Sequence, residues 1–397
     1  MANIARFRLT ALLVITHWIV AAAAPAAERS VVAEALQRFV ANETVAGAVG
    51  LVARSNQVTV EAVGFADLAA KKPMHEDALF WIASMTKPMT AVAVLMLQEE
   101  GKLSIDDPVE KHLPEFKGRT LLDSRTKDTV TLKRPARVIT IRDLLTHTSG
   151  LNTDIPDLGR ELTLAERVIF YSQQPLHFEP GSKWQYSNPG INTLGRIVEV
   201  VAKRSYAEFM EQRLFKPLGM KDTTFWPTRS NAKRLATSYG PGPNGRGLSE
   251  TNLYFMRGEI TDRSRTPLPA GGLFSTARDV AKFYQMMLDG GVVGSKRLLK
   301  EETVKLMTTT QSGDIKTGFV DGMSWGLGFQ VVKEPLGVTS MLSPGTFGHG
   351  GAYGTQSWAD PKSRAIYVLM IQRARMGNSD GSPIRQAFQE AAVALTK

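Results

Sequence analysis

Residues 81–109 read WIASMTKPMTAVAVLMLQEEGKLSIDDPV, and the fold turns on how this stretch is read. Ser84 and Lys87 stand three apart at the mouth of the apolar run AVAVLML (91–97). A run that is apolar all round reads as a helix buried on every side. If Ser84 opens that helix, Lys87 lies one turn on along the same face, within reach of the serine hydroxyl. Pro88 fits such a start only in part, because it cannot donate to the Ser84 carbonyl and disfavours helical geometry at Lys87. A helix start offers a serine free backbone N–H groups and a positive dipole end. Burying an ammonium is unfavourable unless something uses it, and a desolvated lysine has a lowered pKa and can act as a base near neutrality. Taken alone, however, S-x-x-K is a common tetrapeptide, more often a cap beside a snorkelling lysine.

Working outward, SVVAEALQRFV (30–40) is helical in pattern. AGAVGLVAR and VTVEAVGFADL, separated by Ser55-Asn56-Gln57, read as a hairpin. From 81 to about 300 the signals are mainly helical: 85–100, 141–146, 163–173, 189–203, 206–213 and 276–289. Asn188-Pro189 reads as a cap and first-turn proline, and Thr276 with Asp279 as a capping box. The stretch 227–270 lacks periodicity and reads as long loops, and 125–137 as a basic loop. Both loops are expected to shape a pocket. Strand-like runs return at 323–332, 355–360 and 364–372, and a last helix begins at Ser382-Pro383. Strands at both ends with helices between predict an α/β (α+β) chain, with one antiparallel sheet built from the two termini and a mainly helical part inserted. The expected division is 27–80 with 300–397 for the sheet part and 81–299 for the helical part.

The 397 residues carry a formal charge of +10, with 43% hydrophobic residues, enough for a sizeable core. There is no cysteine, and the six histidines show no close ligand spacing, so neither disulfides nor a dedicated metal site is expected. The basic loop RTKDTVTLKRPAR (125–137) lacks aromatic interleaving, which argues against nucleic-acid binding. Residues 1–26 have a basic start at Arg6 and Arg8, an apolar stretch from Leu9 to Val20, and Ala24-Pro25-Ala26 as a cleavage signal. This is the layout of a secretory signal peptide. The apolar part is short of the roughly 20 residues that a membrane span needs, so a periplasmic or secreted protein without a stable membrane anchor is expected.

Two further elements change the weight of S-x-x-K. They are YSNPG, with Tyr186 and Asn188, and HGGAYG, beginning at His349 and including Gly351 and Ala352. The order follows the serine–lysine, S-D-N and K-T-G set of β-lactamases and penicillin-binding proteins, with Y-x-N and H-x-G in the second and third places. The chain resembles the β-lactamase-related serine hydrolases: class C β-lactamases, D-alanyl-D-alanine carboxypeptidases and family VIII carboxylesterases. GKLSIDDPVEKHLPEF (101–116), ITIRDLLTHTSGL (139–151) and PAGGLFSTARDVAKF (269–283) extend the resemblance over nearly the whole chain. It implies a β-lactamase/transpeptidase-like fold and an acyl-enzyme on Ser84, without metal or cofactor. It further implies Lys87 and Tyr186 as the base and acid, with the lysine's charge lowering the phenol's pKa. Asn188 would donate to a substrate carbonyl and orient Lys87, and the N–H groups of Ser84 and Ala352 would form an oxyanion hole. SMTK and FGHGGAYGTQSWADP are closest to the esterase branch. A neutral His349 in place of a lysine tilts the expectation towards uncharged esters. A β-lactamase or D-alanyl peptidase or amidase remains the alternative, and a non-catalytic peptidoglycan-binding protein the further one.

Two other features invite a catalytic reading. Gly322-Met323-Ser324-Trp325-Gly326 matches G-x-S-x-G, but that motif needs a helix after the serine, and here strand alternation continues. It reads as a strand whose glycines allow close backbone approach. His147 in THTSGL reads as part of a structural loop and stays outside the catalytic set.

Overall fold

The computed structural model describes residues 30–55, 57–154, 162–253, 256 and 258–396. The expected signal peptide lies outside them. Helix α1 (Val31–Ala41) is started by Ser30, whose Oγ accepts from the Ala33 N–H at 3.2 Å. The buried run becomes α2 (Thr86–Glu99), in which every residue from Thr86 to Leu97 is buried. Reciprocal side-chain caps, Thr140 with Asp143 and Thr163 with Glu166, start α3 (Ile141–Leu145) and α4 (Leu164–Gln173).

Helix α5 (Asn188–Ala202) begins one residue differently from the sequence expectation. Ser187 is the cap, its Oγ accepting from the Gly190 N–H at 3.0 Å, while Asn188 is already helical and its side chain is left for other use. In α6 (Ala277–Leu288), Thr276 caps as expected. The carboxylate of Asp279 does not close the box but accepts from the Asp222 N–H at 2.7 Å, tying down a neighbouring loop. The final helix, α7 (Pro383–Ala394), follows Ser382 as predicted.

Strands β1 (Gly47–Arg54) and β2 (Gln57–Asp67) form the expected hairpin, extended by β3 (Lys72–Pro73). The late strands are β4 (Met323–Trp325), β5 (Gln330–Val332), β6 (Phe347–Gly350), β7 (Gln356–Asp360) and β8 (Ala365–Met370). All eight make one sheet in the order β4-β5-β6-β7-β8-β1-β2-β3. Every pairing is antiparallel, and the register from Val49↔Met370 to Arg54↔Ala365 joins the two ends of the chain. The run 323–332, expected as one strand, folds back on itself instead. Gly328 makes this turn at φ 78°, so close to α2 that a Cβ there would lie 2.4 Å from the Ala91 Cβ.

Alternation along β1 sends Val49 and Leu51 to one face and Ala48 and Val52 to the other. The second face carries α1 and α7. They approach so closely over Gly50 that a Cβ would stand 3.0 Å from the side chains of Leu36 and Phe388. The first face is covered by α6 and the buried α2, where each fully buried Val, Leu or Met contributes roughly 1.5–3 kcal/mol. Residues 125–137 are not a plain loop: Leu121–Arg125 pairs with Val130–Lys133. The stretch 227–270 is largely irregular, broken by a helical turn at Arg229–Ala232 and a short pairing of Tyr239–Pro241 with Leu248–Glu250. Among the described residues no helix is long and apolar enough to cross a membrane.

Candidate active site

Between the edge pairing of Phe80–Trp81 and helix α2, Ala83–Met85 forms a tight 3-10 turn. Ala83 sits at φ 44°, a left-handed conformation that L-residues other than glycine rarely adopt and that is disfavoured by about 1–2 kcal/mol. The turn delivers Ser84 to the wall of a cavity of about 1180 Å³. Pro88 then falls in the first turn of α2, where a missing N–H matters least. The helix therefore starts after the serine rather than at it.

Lys87 is fully buried behind Ser84. Its Nζ stands 2.9 Å from Ser84 Oγ and donates to the Ala270 carbonyl at 2.6 Å. Ala270 is itself held, because its N–H donates to Asn192 Oδ1 at 3.0 Å, and Asn192 Nδ2 donates to Tyr171 Oη at 3.2 Å. Orientation of the lysine thus runs through Ala270 and Asn192. Among the described residues no hydrogen bond links Lys87 to Asn188, which was expected to orient it and instead lines the cavity. Burial holds the amine well below the usual lysine range.

Tyr186 also lines the cavity, on the irregular segment that leads into α5. Burial pushes its phenol above the ordinary tyrosine range; a hydrogen bond with Ser84 pulls down, and the Asp380 carboxylate pushes up. Lys87 Nζ lies 4.7 Å from the centroid of the tyrosine ring. The sequence expectation, a phenol acidified by a lysine charge, is therefore corrected. Burial disfavours charge on both groups, so it favours the neutral amine and the protonated phenol.

His349, on β6, is buried against the same cavity. Its Nδ1 stands 2.6 Å from the Gly350 carbonyl, so Nδ1 carries the proton and donates, leaving Nε2 as an acceptor. Desolvation is the main reason its pKa falls to about 3; any charge on Lys87 acts in the same direction, and the bond to Gly350 opposes. The imidazole is neutral near pH 7. Beyond β6 the chain passes hard over Ile82: a Cβ on Gly351 would lie 2.7 Å from the Ile82 carbonyl oxygen and 2.1 Å from Thr355 Oγ1. That approach brings Ala352 to the wall that Ser84 occupies. Among the described residues neither the Ser84 nor the Ala352 N–H is engaged by a protein acceptor.

The remaining walls mix apolar side chains, including Trp81, Phe170, Leu268 and Phe319, with the charged side chains of Arg167, Arg265 and Asp380, the last beside β6 and 3.5 Å from Arg385 Nη1. The loop 227–270 contributes Met256 and Thr266 as expected. The segment 125–137 does not reach the cavity; it borders a separate recess of about 500 Å³. Sequence reasoning missed Asn192, Ala270 and Asp380. Asn192 had a signal, since it stands four residues after Asn188 and so shares its helix face. Ser324 is a strand residue, its Oγ 2.9 Å from Thr310 Oγ1 and donating to the Val331 carbonyl. No group of three or more His, Asp or Glu side chains suited to hold a metal occurs among the described residues.

The beta-lactamase family pattern matches residues 32–392. The chain belongs to the beta-lactamase family. Esterase EstB of Burkholderia gladioli is 30% identical over 382 residues, spanning 88% of this chain and 91% of EstB. The solved structure of EstCE1, a hydrolase with promiscuous acyltransferase activity, superposes with a TM-score of 0.75 at 26% identity, covering 91% of this chain and 97% of EstCE1. A class C beta lactamase from Rhodobacter sphaeroides shares the fold, with a TM-score of 0.69 at 19% identity over 92% of this chain and 99% of that one. This beta-lactamase-family protein is a serine hydrolase by superfamily, with the expected sheet and helical layers.

Proposed function

We propose that the protein is an exported serine hydrolase that cleaves carboxylic esters through an acyl-enzyme on Ser84. The observation that carries this is the pair at 2.9 Å, Ser84 Oγ and the fully buried Lys87 Nζ, whose charge burial disfavours. The neutral amine takes the hydroxyl proton as Oγ attacks the ester carbonyl. Negative charge develops on the carbonyl oxygen against the Ser84 and Ala352 N–H groups, where one donor is worth about 3–4 kcal/mol. Tyr186, held protonated, gives its proton to the departing alkoxide and is reprotonated from the Lys87 ammonium. Water then attacks the acyl group, its proton passing to this pair while Ser84 Oγ leaves with a proton. Asn188 donates to the substrate carbonyl.

The side chain in the third-motif position favours esters over anionic substrates. Where the K-T-G enzymes place a lysine, this wall carries a neutral His349, and the Asp380 carboxylate lies beside it. A substrate carboxylate meets a neutral ring at that position; the cationic side chains of the lining, Arg167 and Arg265, come from α4 and from the loop 227–270. The likeness to EstB supports the same reading. Export rests on the leader-like residues 1–26.

The test offers purified protein a short-chain nitrophenyl ester, a chromogenic cephalosporin and a D-alanyl-D-alanine peptide. The ester is expected to be turned over fastest, with all activity lost in Ser84→Ala and kept in Ser324→Ala. Rapid cephalosporin or peptide turnover without esterase activity would replace the reading with a β-lactamase or peptidase.

A further inference from the structure

We propose that His147 is a positioning residue for Tyr186, gripping the backbone on both sides of the phenol and so fixing where it stands relative to Ser84. This rests on the reading of Tyr186 as the proton-transfer group. Tyr186 lies on residues 183–187, which belong to neither helix nor strand, so no ladder of hydrogen bonds sets its place. Two bonds from one residue do so instead. The His147 carbonyl accepts from the Gln185 N–H at 2.9 Å, and His147 Nδ1 accepts from the Ser187 N–H at 3.1 Å. Residues 185 and 187 are the two neighbours of Tyr186.

Both bonds depend on an unusual backbone. His147 follows α3 at φ 60°, in the left-handed region that disfavours most residues with a Cβ. That conformation presents the carbonyl to one flank of Tyr186 and the imidazole to the other. Accepting at Nδ1 also fixes the tautomer, with the proton on Nε2. The buried ring lies 4.7 Å, centroid to centroid, from the Tyr186 ring and 4.9 Å from Trp325, which it meets edge-on. Ring packing adds contact, but the acceptor and the backbone define the register. Ser187 completes the arrangement, because the residue whose N–H is held by His147 is also the cap of α5. Tyr186 is thereby locked to the helix start that carries Asn188.

Three variants separate the acceptor from the backbone and the ring. His147→Asn places an oxygen where Nδ1 stands and tolerates left-handed backbone, but lacks the ring. His147→Gly keeps the backbone conformation and removes the acceptor. His147→Gln moves the acceptor one bond outward and substitutes for the glycine variant if that one does not fold. The readouts are kcat and KM for a short-chain nitrophenyl ester, and amide hydrogen exchange across residues 184–188. For His147→Gly, kcat is expected to fall about 10- to 100-fold with KM within about threefold, the pattern of a displaced catalytic group rather than lost binding. Exchange across the segment accelerates in the same variant. His147→Asn is expected to stay within about fivefold of wild-type kcat and to keep the segment protected. A glycine variant with wild-type kcat, or an asparagine variant as impaired as glycine, overturns the proposal. Exchange does not depend on turnover. A wild type that hydrolyses no ester, combined with protection from exchange lost in glycine and kept in asparagine, counts against the ester reading and upholds the grip on Tyr186.

Discussion

At the scale of the residue, Lys87 carries the chemistry because the fold withholds water from it while holding its Nζ 2.9 Å from Ser84 Oγ and hydrogen-bonded to the Ala270 carbonyl. The sign of its linkage follows. An unfolded lysine titrates near 10.4, and the folded one well below that, so between those values the unfolded chain binds more protons and stability rises with pH. Lys87→Met removes this penalty. The variant should lose activity by about 10²–10⁴-fold. It should melt higher at pH 7, by roughly 0.5–2 kcal/mol, with the advantage shrinking as pH approaches 10. Thermal melts of both proteins across that range check it. Tyr186→Phe should lower kcat by about 10²-fold or more while leaving KM within a few-fold, because the phenol acts by transferring a proton. His349→Lys should raise acylation by carboxylate-bearing cephalosporins relative to neutral esters on the order of tenfold, the yield of one hydrogen bond to a charged group. A competition between the two substrates measures that ratio.

At the scale of the element, the site exists because α2 and the end of β6 are forced together. Gly351 leaves no room for a Cβ over Ile82, and Gly328 none against Ala91. Gly351→Ala should therefore cost roughly 1–3 kcal/mol of stability and lower kcat for esters further, by moving Ala352 away from Ser84. Denaturant melts and steady-state kinetics separate the two effects. The sequence made most elements legible, because capping residues such as Thr140 and Asp143 act locally. It misplaced those whose geometry is set by a distant partner. The turn inside 323–332 reads as strand alternation until α2 presses on Gly328. The carboxylate of Asp279 closes no box because Asp222 takes it. Asn188 could be told from Ser187 as the cap only by its backbone, which a sequence does not display.

For the whole molecule, the sheet built from both ends of the chain was legible from where strand periodicity occurs, and the three motifs were legible as a set. The residues that hold them were not, since Ala270, Asn192 and Asp380 reach the site from separate segments through backbone bonds and burial. The two buried histidines give the fold a global property. His349, with a folded pKa of about 3, and His147, also lowered by burial, are neutral when folded and protonated when unfolded between that range and about 6.5. Stability should thus fall as pH drops from about 6.5 towards 3, and less steeply in His349→Gln, as acid titrations of the unfolding midpoint would show. The central claim, a nucleophilic Ser84 deprotonated by a neutral Lys87 for ester cleavage, is tested most directly by a rapid-quench reaction with a nitrophenyl ester followed by peptide mass mapping. The account predicts a burst of about one equivalent of nitrophenol per enzyme and an acyl group on the peptide at Ser84, both absent in Lys87→Met. An acyl group on another residue, or an undiminished burst in Lys87→Met, would contradict it.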